Sequence, residues 1–284
     1  MDTTQIEAAA RAVREADALL VTAGAGMGVD SGLPDFRGTE GFWQAYPPFK
    51  ALGLEFEELA NPAWFDRDPA VAWGFYGHRL NLYRATVPHA GFDVLRRWAS
   101  GKGAGAFVFT SNVDGQFQKA GFDPQRVVEC HGSIHHLQCA RRCGRDVWPA
   151  DGAAVLIDEA RMRAKSETFP LCPRCSGLAR PNVLMFYDAE WVPDRTAAQE
   201  AAYAAWLKTV SGARLAVVEC GAGTAIPTVR MESERVAERY GATLVRINVR
   251  EPEVPPGGHV GLPLGAAEAL RRIDQGIGTA AVQG

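Results

Sequence analysis

Four cysteines fall in two close pairs, Cys139-x3-Cys143 and Cys172-x2-Cys175, separated by 28 residues. Two such pairs let thiolates from two turns converge on one tetrahedral ion, and Gly144, Pro173 and Gly177 supply the tight turns required. Four sulfur ligands leave no open coordination position, so a bound Zn2+ would hold a small domain together rather than catalyse. Disulfides are the competing reading. Cys130 and Cys220 end apolar runs and read as buried core thiols. His135 and His136 could compete as ligands, but the complete set of cysteines argues against them. Gly24-Ala25-Gly26-Met27-Gly28 follows another apolar run. A glycine cluster there lets the backbone approach a pyrophosphate, whose charge amide groups and a helix N-terminus favour. An ordinary glycine-rich turn is the alternative. As a dehydrogenase fingerprint the loop fails, because the third glycine of G-x-G-x-x-G would fall on Val29. His131 comes just after the strand-like run Arg126–Cys130; its imidazole titrates near neutrality and could serve as a base, or be purely structural. Asn112 and Asp114 follow the end of a core strand, where open α/β sheets place ligand contacts; a helix N-cap is the plainer role for either.

The elements that must position these groups alternate. Short apolar runs at Ala18–Thr22, Ala106–Thr110, Arg214–Glu219 and Thr243–Asn248 predict buried strands. Helical spacing marks residues 4–14, His89–Trp98, Thr228–Arg239 and Leu264–Ile273. Strands alternating with helices predict an α/β fold with a doubly wound, parallel, Rossmann-like sheet. Two regions break the rhythm: 39–87 is aromatic-rich, proline-rich and mostly helical, and 136–178 carries the paired cysteines. Both read as insertions, a helical one and a small zinc-binding domain, into a core made of 1–38, 88–135 and 179–284.

Composition excludes several classes. The 284 residues are 47% apolar and 22% charged, an ordinary globular balance. Thirty basic against 33 acidic residues give a net charge of −3, so no nucleic-acid partner is expected. No apolar run is long enough to cross a bilayer, and no membrane association is expected. Met1-Asp2-Thr3-Thr4-Gln5 lacks the basic region and apolar stretch of a secretory signal. The expected compartment is therefore the cytoplasm, which counts against disulfides.

The longer string is less ordinary than its glycines. Gly24-Ala25-Gly26 followed by Ser31-Gly32-Leu33-Pro34-Asp35-Phe36-Arg37 closely resembles the first signature of the sirtuins, the NAD-dependent protein deacylases. Thr110-Ser111-Asn112-Val113-Asp114 resembles the second, and His131-Gly132-Ser133 the segment carrying the catalytic histidine. The cysteine pairs, Pro181–Phe186, Gly221–Pro227 and Ile247-Asn248 then follow in the sirtuin order. The resemblance implies NAD as co-substrate and an acyl-lysine protein or peptide as substrate, with nicotinamide and O-acyl-ADP-ribose as products. It implies that His131 removes a proton from a nicotinamide-ribose hydroxyl, that Asn112 contacts the ribose and positions water, and that Asp114 recognises the nicotinamide amide. Arg37 would sit near the pyrophosphate and Phe36 would shield the anomeric carbon from water. Gly24, Ala25, Gly26, Asp35 and Ser111 join the NAD contacts, and Gly221, Ala222 and Asn248 fall where the family holds the adenosine half.

Tyr76-Gly77-His78-Arg79 lies in the region resembling the sirtuin acyl pocket, where some members use Tyr-x-x-Arg to recognise a succinyl or malonyl carboxylate. Tyr and Arg three apart share a helix face, and a guanidinium grips a carboxylate through two hydrogen bonds. A core tyrosine beside a surface arginine is the alternative. Four departures stand out: Ser111 for a glutamine, Gly28 for a serine, Gly221-Ala222-Gly223-Thr224 for Gly-Thr-Ser-Leu, and Phe186-Tyr187-Asp188 for Phe-Gly-Glu. They keep two alternatives in view, an NAD hydrolase or ADP-ribosyltransferase on the same fold, and a non-catalytic NAD-sensing module.

Overall fold

The computed structural model describes residues 3–35, 38–51 and 53–282; the side chains of 38–41 and 279–282 lie outside that description. The chain opens with α1 (Thr3–Glu15) and β1 (Ala18–Ala23), and a 3₁₀ turn follows over Ala25–Ser31. The predicted helical insertion is α2 (Gly38–Ala45), α3 (Pro47–Ala51), α4 (Phe56–Leu59), α5 (Trp64–Arg67) and α6 (Pro69–Ala85). Asp68 starts α6, its side chain accepting from the Val71 N–H with Pro69 in the first turn, where a missing N–H costs nothing. Then come α7 (Ala90–Ser100), β2 (Ala106–Thr110), α8 (Gln116–Lys119) and β3 (Val127–Glu129).

The cysteine region contains β4 (Gly132–Cys139), β5 (Val147–Pro149), β6 (Ile157–Asp158), β7 (Arg163–Ala164) and β8 (Ala179–Val183). The chain closes with α9 (Asp194–Thr209), β9 (Leu215–Cys220), α10 (Thr228–Tyr240), β10 (Thr243–Ile247), β11 (Val260–Leu262) and α11 (Ala266–Val282).

Six strands form one all-parallel sheet in the order β11-β10-β9-β1-β2-β3. All four predicted strands are present, and β3 and β11 extend the sheet at its two edges. Strand β1 is buried on both faces, which is why it reads as an unbroken apolar run. Leu19, Val21, Val218 and Val245 pack under α1, α7 and α11; Leu20, Val217, Leu244 and Phe107 pack under α9 and α10. This is the doubly wound, Rossmann-like arrangement, and β5-β4-β8 form a separate antiparallel sheet beside it.

The four paired cysteines converge at one end of that small sheet. Their sulfurs lie within 4.8 Å of one another, with Cys139 to Cys175 at 3.7 Å and Cys143 to Cys172 at 3.6 Å. Sulfurs about 2.3 Å from a tetrahedral zinc stand about 3.8 Å apart, so the donor set fits that ion. Arg142 and Ser176 take left-handed backbone in the two knuckles, and the Ser176 N–H closes one of them onto the Cys172 carbonyl at 2.9 Å. Burial opposes ionisation of the Cys172 thiol, but the N–H groups of Cys175 and Arg174 hold it down at about 7. At Cys172 the thiolate that zinc requires is thereby favoured, whereas the neighbouring thiols push that of Cys143 up.

Structural zinc is worth roughly 10–16 kcal/mol in small peptides. Cys172→Ala should therefore lower bound zinc from about one ion per chain to near none. Amide-exchange protection should vanish over β4, β5 and β8 while β1, β2, β9 and β10 keep theirs. Native protein that keeps the protection of β4 and β8 after complete zinc removal would show that the metal does not hold this sheet.

Candidate active site

The carboxyl ends of β1, β2, β9 and β10 lie side by side, and chain order reverses between β1 and β9. Open parallel sheets place ligand crevices at such a point. The loop after β1 and the loop after β9 are in backbone contact there: Gly24 N–H donates to the Cys220 carbonyl (3.0 Å) and Gly26 N–H to the Gly221 carbonyl (3.0 Å). A Cβ on Gly26 would stand 2.7 Å from the Gly221 Cα, and Gly221 itself has φ +65°. The glycines are therefore required first by the approach of two loops. The sequence pattern alone suggested approach to a phosphate.

Asparagines tie the neighbouring strand ends to these loops. Asn112 Nδ2 donates to the Gly24 carbonyl at 3.0 Å, while Thr110 Oγ1 donates to the Ala23 carbonyl and accepts from the Asn112 N–H. Asn248 Nδ2 donates to the Ala222 carbonyl at 2.7 Å, and its Oδ1 accepts from Arg250 and Glu251. Gly24, Ala25, Gly26, Ser111, Asn112, Gly221, Ala222 and Asn248 thus gather at one sheet edge. Asp35 is half-buried beyond the 3₁₀ turn; Phe36 and Arg37 lie outside the described residues.

His131 stands between β3 and β4, and this segment is bound to the loop after β2 on both sides. Cys130 N–H donates to the Thr110 carbonyl (2.9 Å), Ile134 N–H to Val113 (3.0 Å), and His135 Nε2 to the Asp114 carbonyl (2.9 Å). Gly132 has φ +78°, and a Cβ there would meet the Asn182 carbonyl oxygen at 2.1 Å. Burial holds the His131 imidazole below its ordinary pKa, so it is neutral near pH 7 and able to accept a proton. Asp114 is buried, and burial pushes its carboxyl up to about 6 although the Gln116 N–H (2.9 Å) opposes this. The charge of Glu129 raises it further, and that of Arg79 lowers it.

Tyr76 and Arg79 are both buried on α6. The Arg79 guanidinium lies over the rings of Phe75 (5.0 Å), Tyr83 (5.4 Å) and Tyr76 (5.8 Å), and its Nε donates to Tyr83 Oη at 3.0 Å. Sequence reasoning passed over Tyr83, although i,i+4 spacing puts it on the same helix face. It also passed over Arg180. The buried Arg180 guanidinium holds Asp188 in a bidentate ion pair (2.7 and 2.8 Å), anchoring the loop whose Leu184 N–H donates to the His131 carbonyl. Nothing local in the sequence announces a partner eight residues away.

The Sir2 family model matches residues 24–217. A Pyrobaculum aerophilum protein described as NAD-dependent protein deacylase 2 is 33% identical over 255 residues, spanning 89% of this chain and 88% of its own. An NAD-dependent protein deacylase from Aeropyrum pernix is 29% identical, spanning 90% of each chain. Among solved structures, a Sir2 homologue in complex with NAD superposes with a TM-score of 0.69 at 24% identity, covering 99% of this chain and 95% of that one. That likeness concerns the fold.

Asp114 supplies a test of the electrostatics. Its folded pKa is raised, so the stability it contributes is fully present below the unfolded value of 3.8 and is lost as pH rises through about 6. Asp114→Asn keeps an acceptor for the Gln116 N–H and removes the buried charge. The variant should gain about 1–3 kcal/mol at pH 8, and the gain should shrink as pH falls below 6. Urea unfolding of both proteins at pH 8 and pH 5 measures it; an equal difference at the two pH values would exclude a perturbed Asp114.

Proposed function

This chain belongs to the Sir2 family, and from that premise we infer that it is an NAD-dependent protein deacylase, removing acyl groups from lysine side chains of proteins or peptides. The observation that carries the reading is the meeting, at the carboxyl edge of one sheet, of the loops bearing Gly24, Asn112 and Gly221 with a half-buried, neutral His131. NAD supplies the reaction's leaving group and acyl acceptor. His131 takes a proton from a ribose hydroxyl, which a neutral imidazole can do and an imidazolium cannot. Asn112, its amide already fixed on Gly24, positions the ribose and a water molecule. Asp114 orients the nicotinamide amide; a carboxyl poised at about 6 can accept from the amide nitrogen when ionised. Gly24, Ala25, Gly26, Asp35, Phe36, Arg37 and Ser111 hold the rest of that half, and Gly221, Ala222 and Asn248 the adenosine half. The four cysteines would hold a structural zinc that supplies no chemistry to these steps.

Tyr76 and Arg79 face the acyl chain in this reading. The aromatic cage supports it, because three rings around a buried guanidinium remove the water that would weaken its grip on a carboxylate.

Two outcomes are expected. With an acyl-lysine peptide and NAD, His131→Ala should lower nicotinamide release by about 10²–10⁴-fold, and the native rate should fall on the acid side with a midpoint below pH 6.5. Equal turnover of the two proteins, or nicotinamide release that ignores the peptide, would reject deacylation. With succinyl-lysine peptide, Arg79→Met should lose about 10²-fold while deacetylation is kept, since a buried carboxylate without its cation costs several kcal/mol. Acyl preference unmoved by that change would remove Arg79 from specificity.

A further inference from the structure

The Arg79 guanidinium is fixed in two ways. The rings of Phe75, Tyr76 and Tyr83 hold the cation against them, but attraction to a ring face does not choose which edge of the group points where. That choice is made by the hydrogen bond from Nε to Tyr83 Oη at 3.0 Å. Tyr83 lies one turn further along α6 and is buried, and its own position is set from outside the helix. Its backbone carbonyl accepts from the Nε2 of buried Gln116 at 3.2 Å, and the Gln116 N–H donates to Asp114 Oδ1 at 2.9 Å. Lys119 Nζ donates to the Arg84 carbonyl at 2.6 Å and the Thr86 carbonyl at 2.5 Å. The end of α6 that carries Tyr83 is thus bound to the Asp114 loop and to α8.

A planar guanidinium can grip a carboxylate through its end edge, Nη1 with Nη2, or through its side edge, Nε with one Nη. With the Nε–H engaged by Tyr83 the side edge is closed, and the end edge is the one that a carboxylate would meet. Burial pushes the Tyr83 phenol above its ordinary value, so it stays neutral and brings no negative charge to compete with a substrate carboxylate. Buried donors are almost always paired. Without the phenol oxygen the guanidinium would turn until Nε–H found another acceptor, and the end edge would turn with it. The charge would remain and its aim would be lost. Such a loss falls on an acyl chain that ends in a carboxylate, and a neutral acyl chain has nothing for that edge to hold.

We propose that Tyr83 is a positioning residue for acyl-chain specificity: its hydroxyl aims Arg79 so that the end edge of the guanidinium meets the terminal carboxylate of a dicarboxylic acyl-lysine. The proposal rests on the reading that Arg79 holds that carboxylate.

The test uses the full chain with NAD and one peptide carrying either succinyl-lysine or acetyl-lysine. Tyr83→Phe keeps the ring against the cation and removes only the oxygen. It should lower the succinyl-to-acetyl ratio of kcat/KM about tenfold, the effect expected of one hydrogen bond to a charged group. The loss should be carried by the KM of the succinyl peptide, because the grip acts on substrate binding. Adding Tyr83→Phe to Arg79→Met should change the ratio no further, since no guanidinium is left to aim. A fall shared equally by both peptides would make the hydroxyl merely structural and overturn the proposal, as would a further fall of the ratio in the double variant. A ratio unmoved by Tyr83→Phe but lowered by Arg79→Met overturns this proposal alone. A ratio unmoved by Arg79→Met overturns it together with the reading of Arg79.

Discussion

The backbone contact between the loops after β1 and β9 is the constraint on which the site depends. A Cβ on Gly221 would stand 2.3 Å from the Gly26 carbonyl carbon and the Met27 nitrogen, closer than any side chain permits. The two loops can close only because neither has a side chain at the contact. Gly221 N–H also donates to the Ile247 carbonyl at 2.8 Å, so the same contact sets the end of β10. Asn112 then bonds back to Gly24, and Asn248 to Ala222. Separating the loops would move both asparagines with them. Sheet order enters here as well, because the contact exists only where β1 has β9 on one side and β2 on the other.

Around this rigid edge, buried charge fixes what the sheet alone would leave loose. Arg180 with Asp188 clamps the loop that follows β8, and Glu129 with Arg195 joins β3 to α9. Both pairs flank His131, one through the Leu184 N–H on its carbonyl and the other two residues before it in sequence. Buried pairs of this kind add little net stability over apolar packing of the same volume, yet losing one partner is costly. Their effect is geometric. They leave the segment carrying the histidine few alternative positions.

The core was legible because its strands are buried on both faces and so appear as continuous apolar runs, as in Ala18–Val21 and Leu215–Val218. Elements with weak patterns were not. Strand β11 is Val260-Gly261-Leu262 behind a proline-glycine loop, too short to stand out. Helix α9 buries only Thr196, Tyr203, Trp206 and Leu207 in 16 residues, and its alanines blur any helical period. The cysteine site was legible from spacing alone, since a chelating knuckle is local. The candidate site was legible as an ordered set of motifs, but its supports were not. Arg180, Tyr83, Glu129 and Arg195 act through partners that only the folded chain brings together. A rule of spacing has nothing to say about them.

The departures from the sirtuin pattern show how such supports absorb change. Tyr187 occupies left-handed backbone at φ +57°, where a glycine is free of strain and a tyrosine carries about 1–2 kcal/mol of it. Its side chain is 82% exposed, so no packing compels the residue, but its hydroxyl donates to Glu57 at 3.0 Å. Its neighbours are fixed independently: Phe186 donates to the Ala60 carbonyl and meets Phe56 edge-on at 6.1 Å, and Asp188 is held by Arg180. A shorter acid therefore still anchors the loop. In the other altered segment, the Thr224 hydroxyl donates to Glu251 rather than facing the crevice alone, which ties the loop after β9 to the one after β10. Both changes cross-link loops already in contact. The backbone frame that gathers Asn112, His131 and Gly221 is left intact, and what changes is the rim, where a co-substrate or a peptide would meet the protein's surface.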